Sequence, residues 1–195
     1  LTAEGRLLCV ASIDHRSGPA ILLWPSADIL QQPEVLPLPQ PFGAKLDGGE
    51  SSWYQTDEGT IVIFWRDESQ SGRVWVNHST DGGRTFSDPM ISDIPDAMSR
   101  NYAGRLSDGR YYLCNNANYV LHNRMHLTLL ISEDGYQFND VYILVDDPTG
   151  QRVRGLLKLD GYMYPCCLTD GDRLLVGYSV NKEDIEIGIV DTTRL

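Results

Sequence analysis

Two short stretches decide the fold of this chain: Ser79-Thr80-Asp81-Gly82-Gly83-Arg84-Thr85-Phe86 and Ser132-Glu133-Asp134-Gly135-Tyr136-Gln137-Phe138. Both begin with Ser, carry Asp two positions later and end on Phe. The Asp carboxylate of such a turn can accept backbone N–H groups, and Gly supplies a positive φ. A third Ser-x-Asp begins at Ser26, so the three Ser residues are spaced 53 apart. This regular spacing indicates a repeated structural unit.

Short apolar or alternating runs follow glycine turns throughout the chain, for example after Gly59 and Gly109. Such runs are typical of strands that follow hairpins. No segment sustains apolar residues at helical spacing for three turns. A period of roughly 50 residues that holds four strands is typical of a propeller blade. The sequence therefore predicts an all-β protein with a β-propeller fold.

The strand pattern predicts about four blades, two complete and two partial. The blades divide one propeller domain, 1–195, at about 1–42, 43–94, 95–147 and 148–195. The first blade lacks its inner strand and the last lacks its outer strand, so these two cannot complete each other. We therefore expect the C-terminal part of a six- or seven-bladed propeller. Its open edges favour self-association.

The composition excludes several classes of partner. The chain has 27 acidic and 16 basic residues, a formal net charge of −11, whereas phosphate binding needs a basic surface. No apolar run approaches the roughly 20 residues that span a bilayer, and no signal peptide is recognisable. No His or Cys cluster indicates a metal site. We expect no nucleic acid, membrane span, metal or cofactor.

Arginine accounts for 13 of the 16 basic residues. Its planar guanidinium suits bidentate recognition of carboxylates. Loops expected on one rim of the propeller contain six arginines: Arg16, Arg66, Arg100, Arg124, Arg152 and Arg154. Such a rim can bind an anionic ligand. Any single surface arginine can instead pair with a neighbouring carboxylate, as Arg66 could with Asp67 or Glu68.

An ordered series of residues carries a family resemblance. Glu50 opens the inner strand of a blade, Arg66 ends the next strand, and the Asp turn at Ser79 follows. In the next blade Arg124 precedes the strand that enters the second Asp turn, and Tyr164 opens the last blade. The series resembles the sialidases (neuraminidases), whose propellers carry these BNR or Asp-box repeats. The predicted propeller is therefore of the sialidase type.

The resemblance implies a retaining exo-glycosidase that hydrolyses a terminal carboxylate-bearing sugar, above all sialic acid. Tyr164 is then the nucleophile, Glu50 its base, and Arg66 and Arg124 two of three arginines that grip the substrate carboxylate. A phenol avoids bringing a second full anion toward that carboxylate, and sialidases are the glycosidases known to use a Tyr nucleophile.

The resemblance also sets limits on what this chain does by itself. The family's first Arg and its Asp acid/base have no counterpart here, so we expect the chain alone to be inactive. The partner it implies is a glycan with an acidic terminal sugar. An extracellular or periplasmic location is favoured by resemblance.

Further candidates for substrate binding lie on the same predicted rim: Arg100, Asn115, Asn116, His122 and Tyr178. Tyr162 competes with Tyr164 for the role of nucleophile. The turn Asn181-Lys182-Glu183-Asp184 mixes charges of both signs and is predicted at the pocket edge. Two alternatives remain open: a glycan-binding propeller without activity, and a lyase or other glycosidase on the same scaffold, with His122 as a base.

Overall fold

The computed structural model describes residues 1–12 and 18–195. The predicted rim residue Arg16 lies outside the described residues. The described chain forms 14 strands in four sheets, whose neighbouring strands all run antiparallel where their register is defined. The sheets contain three, four, four and three strands in chain order, which confirms the predicted all-β fold and its four blades.

The chain divides into two compact units, residues 1–93 and 94–195. The first two sheets are formed by β1 (Leu8–Ser12), β2 (Pro19–Leu23) and β3 (Glu34–Pro37), and by β4 (Leu46–Gln55), β5 (Ile61–Asp67), β6 (Arg73–Ser79) and β7 (Met90–Pro95). The unit boundary falls within β7. β4 begins at Leu46, four residues before Glu50, which the sequence predicts to open it, and Glu50 lies in the irregular register between β4 and β5. β12 begins at Tyr162, two residues before Tyr164.

The C-terminal unit carries the other two sheets. They are formed by β8 (Tyr102–Arg105), β9 (Tyr111–Asn115), β10 (Leu127–Ser132) and β11 (Asp140–Val145), and by β12 (Tyr162–Asp170), β13 (Arg173–Val180) and β14 (Asp184–Asp191). A single 3-10 turn, Thr192–Arg194, follows β14 and is the one helical element among the described residues. No helix of the described chain is long and apolar enough to cross a bilayer.

The Asp turns connect the third and fourth strands of their sheets. In the first, Asp81 Oδ1 accepts the backbone N–H groups of Arg84 at 3.0 Å and Thr85 at 2.9 Å. In the second, Asp134 Oδ1 accepts the N–H groups of Tyr136 and Gln137, both at 2.8 Å. Each carboxylate thus satisfies the donors of its own turn, which holds the strands in register.

Each unit has its own apolar core. In the N-terminal unit Ile21, Ile61, Ile63 and Trp65 are fully buried, and Trp65 Nε1 donates to Asn77 Oδ1 at 2.8 Å. In the C-terminal unit the core gathers residues of β9, β10, β12 and β13: Tyr112, Cys114, Leu127, Leu129, Ile131, Cys167, Leu174 and Val176. Because β5, β9 and β10 are buried along nearly their whole length, they form rigid supports for the residues at their ends.

Candidate functional site

Tyr164 lies on an irregularity of β12. The pairing of β12 with β13 shifts its register between Met163 and Cys166, and Tyr164 has φ of +58°. A bulge of this kind turns one side chain away from the regular alternation of the strand. A left-handed backbone is costly for an aromatic residue and persists only where its surroundings hold it.

Two cations act on the Tyr164 side chain. The Nζ of Lys182 lies 5.1 Å from the centre of the Tyr164 ring. Burial acts to raise the pKa of Tyr164, but hydrogen bonding and charge from Lys182, and then from Arg124, outweigh it and lower the pKa. Positive charge beside a phenol stabilises the phenolate. The structure therefore brings together two residues that the sequence placed in one site, Arg124 and Tyr164, and adds Lys182.

Arg124 is 4% exposed and is held on several sides. Its Nη2 donates to the Met98 carbonyl at 2.7 Å, and its own carbonyl accepts the Tyr162 N–H at 2.8 Å. Gly161, with φ of +110°, pairs with Arg124 in an isolated bridge. A Cβ at position 161 would overlap the Arg124 carbonyl, so this close approach requires Gly. The backbone of Arg124 is thereby fixed against the start of β12.

Lys182 sits on a tight turn between β13 and β14. Both Asn181 and Lys182 have positive φ, +55° and +56°. Asn181 is 4% exposed, and its Oδ1 accepts the Gly161 N–H at 2.8 Å while its Nδ2 donates to Thr149 Oγ1 at 2.7 Å. The Nζ of Lys182 donates to the Leu157 carbonyl at 2.8 Å. These bonds tie the turn to the segment that precedes β12.

Glu183 completes this attachment. Its carboxylate accepts the N–H groups of Arg152 at 2.9 Å and Val153 at 2.8 Å, and the Nζ of Lys158 at 2.6 Å. The bond from Lys158, followed by these backbone bonds, lowers the pKa of Glu183 to about 2. The predicted turn at 181–184 is therefore a fixed element. The sequence indicated its position but not the contact of Lys182 with Tyr164.

Tyr162 and Tyr178 have a different environment. Tyr162 is 4% exposed, its hydroxyl donates to the Asp147 carbonyl at 2.9 Å, and its ring packs edge-on against Tyr178 at 5.7 Å. Burial, and then the charge of Asp147, raise the pKa of Tyr162. Burial and the hydrogen bond to Glu186 raise the pKa of Tyr178 to about 12. These contacts favour Tyr164 over Tyr162 as a nucleophile.

The two predicted asparagines are fully buried. Asn115 Nδ2 donates to the Pro95 carbonyl at 3.0 Å. Asn116 Nδ2 donates to the carbonyls of His126 at 2.6 Å and Tyr162 at 2.9 Å. Both side chains therefore support the backbone beneath the loop. Binding of substrate by either one stays a prediction.

The remaining predicted residues of this unit lie on loops. His122 is exposed, has φ of +63°, and its backbone N–H donates to the Ala97 carbonyl at 2.9 Å. Arg100 is half-buried, and its Nε has no hydrogen-bond partner among the described residues. No group of three His, Cys, Asp or Glu side chains in the described ranges is placed to hold a metal ion.

In the N-terminal unit Glu50 and Arg66 form an ion pair. Arg66 Nη1 donates to Glu50, and Arg66 Nη2 lies 3.7 Å from Glu68 Oε1. The side chains of Arg66 and Glu50 are 12% and 25% exposed. Asp67, which the sequence also offered as a partner, instead accepts the N–H groups of Ser69 and Ser71. Pairing of β4 with β5 brings the predicted base and the predicted carboxylate-binding Arg into direct contact.

Several solved structures share this fold. A protein of unknown function from Dyadobacter fermentans has a TM-score of 0.69 at 23% identity, over 96% of this chain and 50% of that one. The intramolecular trans-sialidase from Ruminococcus gnavus has 0.69 at 19%, over 97% and 41%. The NanB sialidase from Streptococcus pneumoniae has 0.66 at 16%, over 96% and 28%. The chain thus spans half or less of the length of these structures.

The four sheets, the Asp turns and these structures define the class: an all-β protein with a propeller fold of the sialidase type. The sequence profile of the BNR repeat-like domain matches residues 2–177. The chain belongs to the BNR repeat-like domain family. No curated protein sequence matches it.

Proposed function

We propose that the protein is a sialidase-type exo-glycosidase that hydrolyses a terminal carboxylate-bearing sugar with retention of configuration, and that Tyr164 is its nucleophile. One observation carries the proposal: Tyr164 lies on a bulge of β12, with the Lys182 ammonium 5.1 Å from its ring centre, and Lys182 and then Arg124 lower its pKa. Two cations beside a half-buried phenol favour its reactive, ionised form.

The proposed reaction has two steps. Tyr164 Oη attacks the anomeric carbon while the bond to the leaving oxygen breaks, and an acid protonates that oxygen. Water then attacks the same carbon, gives a proton to the conjugate base of that acid, and releases Tyr164 as its phenolate. Two inversions give net retention, as in other glycosidases with a covalent intermediate. Lys182 and Arg124 stabilise the phenolate before the first step and after the second.

Glu50 and Arg66 have proposed roles in the same reaction. Arg66 would bind the substrate carboxylate, and Glu50 would act as the base. In the present structure Glu50 is the partner of Arg66. A substrate carboxylate that replaces Glu50 at Arg66 frees Glu50 to accept a proton. Such an exchange of partners would couple substrate binding to activation of the base.

The substitution Tyr164→Phe in the full-length protein tests the nucleophile. We expect turnover of a fluorogenic sialoside to fall by about a thousandfold or more, because the variant lacks the attacking oxygen. Sialoside binding should be largely retained, since the ring stays in place. Tyr162→Phe is the matched control and should keep most of the activity, because its hydroxyl is bound to the Asp147 carbonyl. Normal turnover by Tyr164→Phe would remove the mechanism.

A glycan-binding propeller without activity is the second candidate. It is favoured by the partners that both arginines already have, Glu50 for Arg66 and the Met98 carbonyl for Arg124. Sialoside binding by the full-length protein with no product after long incubation would support this candidate. For the lyase alternative, His122→Ala would damage activity as much as Tyr164→Phe does.

A further inference from the structure

The contact between Lys182 and Tyr164 joins two elements that are distant in sequence. Tyr164 lies on the bulge of β12, and Lys182 on the turn from β13 to β14. The ammonium is 5.1 Å from the ring centre and 2.8 Å from the Leu157 carbonyl. The bond to Leu157 holds the end of the long, flexible Lys182 side chain. It offsets part of the conformational entropy that is lost when this side chain is ordered.

The backbone around this contact is unusual. Tyr164, Asn181, Lys182 and Leu157 all have φ between +55° and +58°. Each such conformation costs free energy for a residue other than Gly and is kept only where surrounding contacts enforce it. The buried Asn181 supplies those contacts through Gly161 and Thr149. The fold therefore holds a turn of strained backbone, and this turn places the Lys182 ammonium near the Tyr164 ring.

Lys158 shows what a purely structural lysine does in the same region. Its Nζ donates to the Val153 carbonyl at 2.7 Å and to Glu183 at 2.6 Å, within the segment before β12. Attachment of the turn thus relies on Asn181, Glu183 and Lys158. Lys182 adds one bond to that attachment and, unlike Lys158, acts on Tyr164. The largest effects of charge on Tyr164 come from Lys182 and Arg124, both cationic.

We propose that Lys182 is a positioning residue for Tyr164: it orients the ring and stabilises the phenolate that would attack the sugar. The catalytic part of this inference rests on the proposed function, whereas the pairing itself does not. Lys182 acts through Tyr164 alone: its ammonium lies 5.1 Å from the ring centre, and it takes no proton from the substrate. Its charge also opposes protonation of Tyr164 when the sugar leaves.

A difference titration of the purified chain tests the pairing without any substrate. Tyrosinate absorbance is followed between about pH 7 and 12, and the curve of Tyr164→Phe is subtracted to isolate Tyr164. Lys182→Gln should move the Tyr164 midpoint to higher pH, and Lys182→Arg should restore it. Lys45→Gln is the control, because Lys45 is an exposed lysine of the N-terminal unit that pairs with Glu68, and it should leave the midpoint unchanged. An unchanged midpoint in Lys182→Gln, or an equal shift in Lys45→Gln, would overturn the proposal.

Kinetics of the full-length protein test the consequence. Lys182→Gln should lower kcat about tenfold with little change in KM, because stabilisation of a single charge is lost from the reacting group. The pH at which activity is half-maximal on the acid side should rise, and Lys182→Arg should reverse both effects. A change confined to KM would contradict a role through Tyr164.

The two proposals fail separately. If Lys182→Gln shifts the titration while Tyr164→Phe keeps full activity, the pairing stands and the proposed function fails. If Tyr164→Phe is inactive while Lys182→Gln leaves both titration and kcat unchanged, the function stands and Lys182 has no part in it. Should Tyr164→Phe fail to fold, tyrosine-labelled NMR of the Lys182 variants reports the same midpoint directly.

Discussion

Three tyrosines of the last sheet show how environment separates residues of one type. Tyr162 and Tyr178 pack against each other, bond to oxygen acceptors and have raised pKa values. Tyr164 faces two cations and has a lowered pKa. The difference arises from the bulge at Tyr164, which takes its side chain out of the alternation that buries Tyr162. Backbone geometry thus gives one of the three phenols a lowered pKa.

Arg66 carries a prediction at the residue scale. We expect Arg66→Ala in the full-length protein to raise KM for a sialoside by about 10- to 100-fold, because a charge-assisted contact to a carboxylate contributes about 1.5–3 kcal/mol. Steady-state kinetics measure the effect. Arg84→Ala is the matched control, since Arg84 belongs to an Asp turn and bonds the Asp81 carbonyl at 3.1 Å. An unchanged KM in Arg66→Ala would remove Arg66 from the carboxylate site.

The Asp turn is the element that repeats. Asp81 accepts from Arg84, Thr85 and Ser79. Burial acts to raise the Asp81 pKa, but these hydrogen bonds outweigh it and lower the pKa to about 2, from an ordinary value of 3.8. A carboxylate with a depressed pKa stabilises the fold above its ordinary pKa, and the contribution is lost as pH falls toward 2.

Asp81→Ala should therefore lower the free energy of unfolding at neutral pH by about 1 kcal/mol, a modest value because the turn is exposed. The difference between the variant and the unmutated chain should shrink as pH falls from about 4 to 2. Chemical denaturation at several pH values measures it. Asp88→Ala is the matched control. It removes a carboxylate of the same loop that makes no hydrogen bond to another described residue, so we expect a smaller effect on the free energy of unfolding. A pH-independent difference for Asp81→Ala would contradict the assignment.

Local chemistry explains how much was predictable at this scale. The Ser-x-Asp spacing and the glycine hairpins are local signals, so the strands and their grouping followed from the sequence. The pairing of Arg66 with Glu50 did not, because it depends on the irregular register between β4 and β5. The contact of Lys182 with Tyr164 depends on a bulge and on a left-handed turn formed by residues other than Gly. No local sequence pattern predicts either feature.

At the scale of the whole molecule, the last sheet has an apolar outer surface. Ile185, Ile187 and Ile189 of the edge strand β14 are 84%, 67% and 65% exposed, and Leu168 of β12 is 64% exposed. Surface of this kind is typical of a contact site, and an edge strand offers unpaired backbone groups to a second chain. Self-association of this chain, predicted from its open edges, stays a prediction. The exposed apolar residues of β14 and β12 are the surface through which we expect it to occur.

Covalent trapping tests the central claim, a retaining sialidase-type reaction at Tyr164, most directly. A sialyl fluoride with a second fluorine beside the anomeric carbon slows release of the sugar, because fluorine destabilises the oxocarbenium-like transition state. After incubation with the full-length protein, peptide mass spectrometry should find the sialyl group on Tyr164, and Lys182→Gln should accumulate it more slowly. Turnover of a sialoside with no adduct, or with the adduct on another residue, would contradict the account.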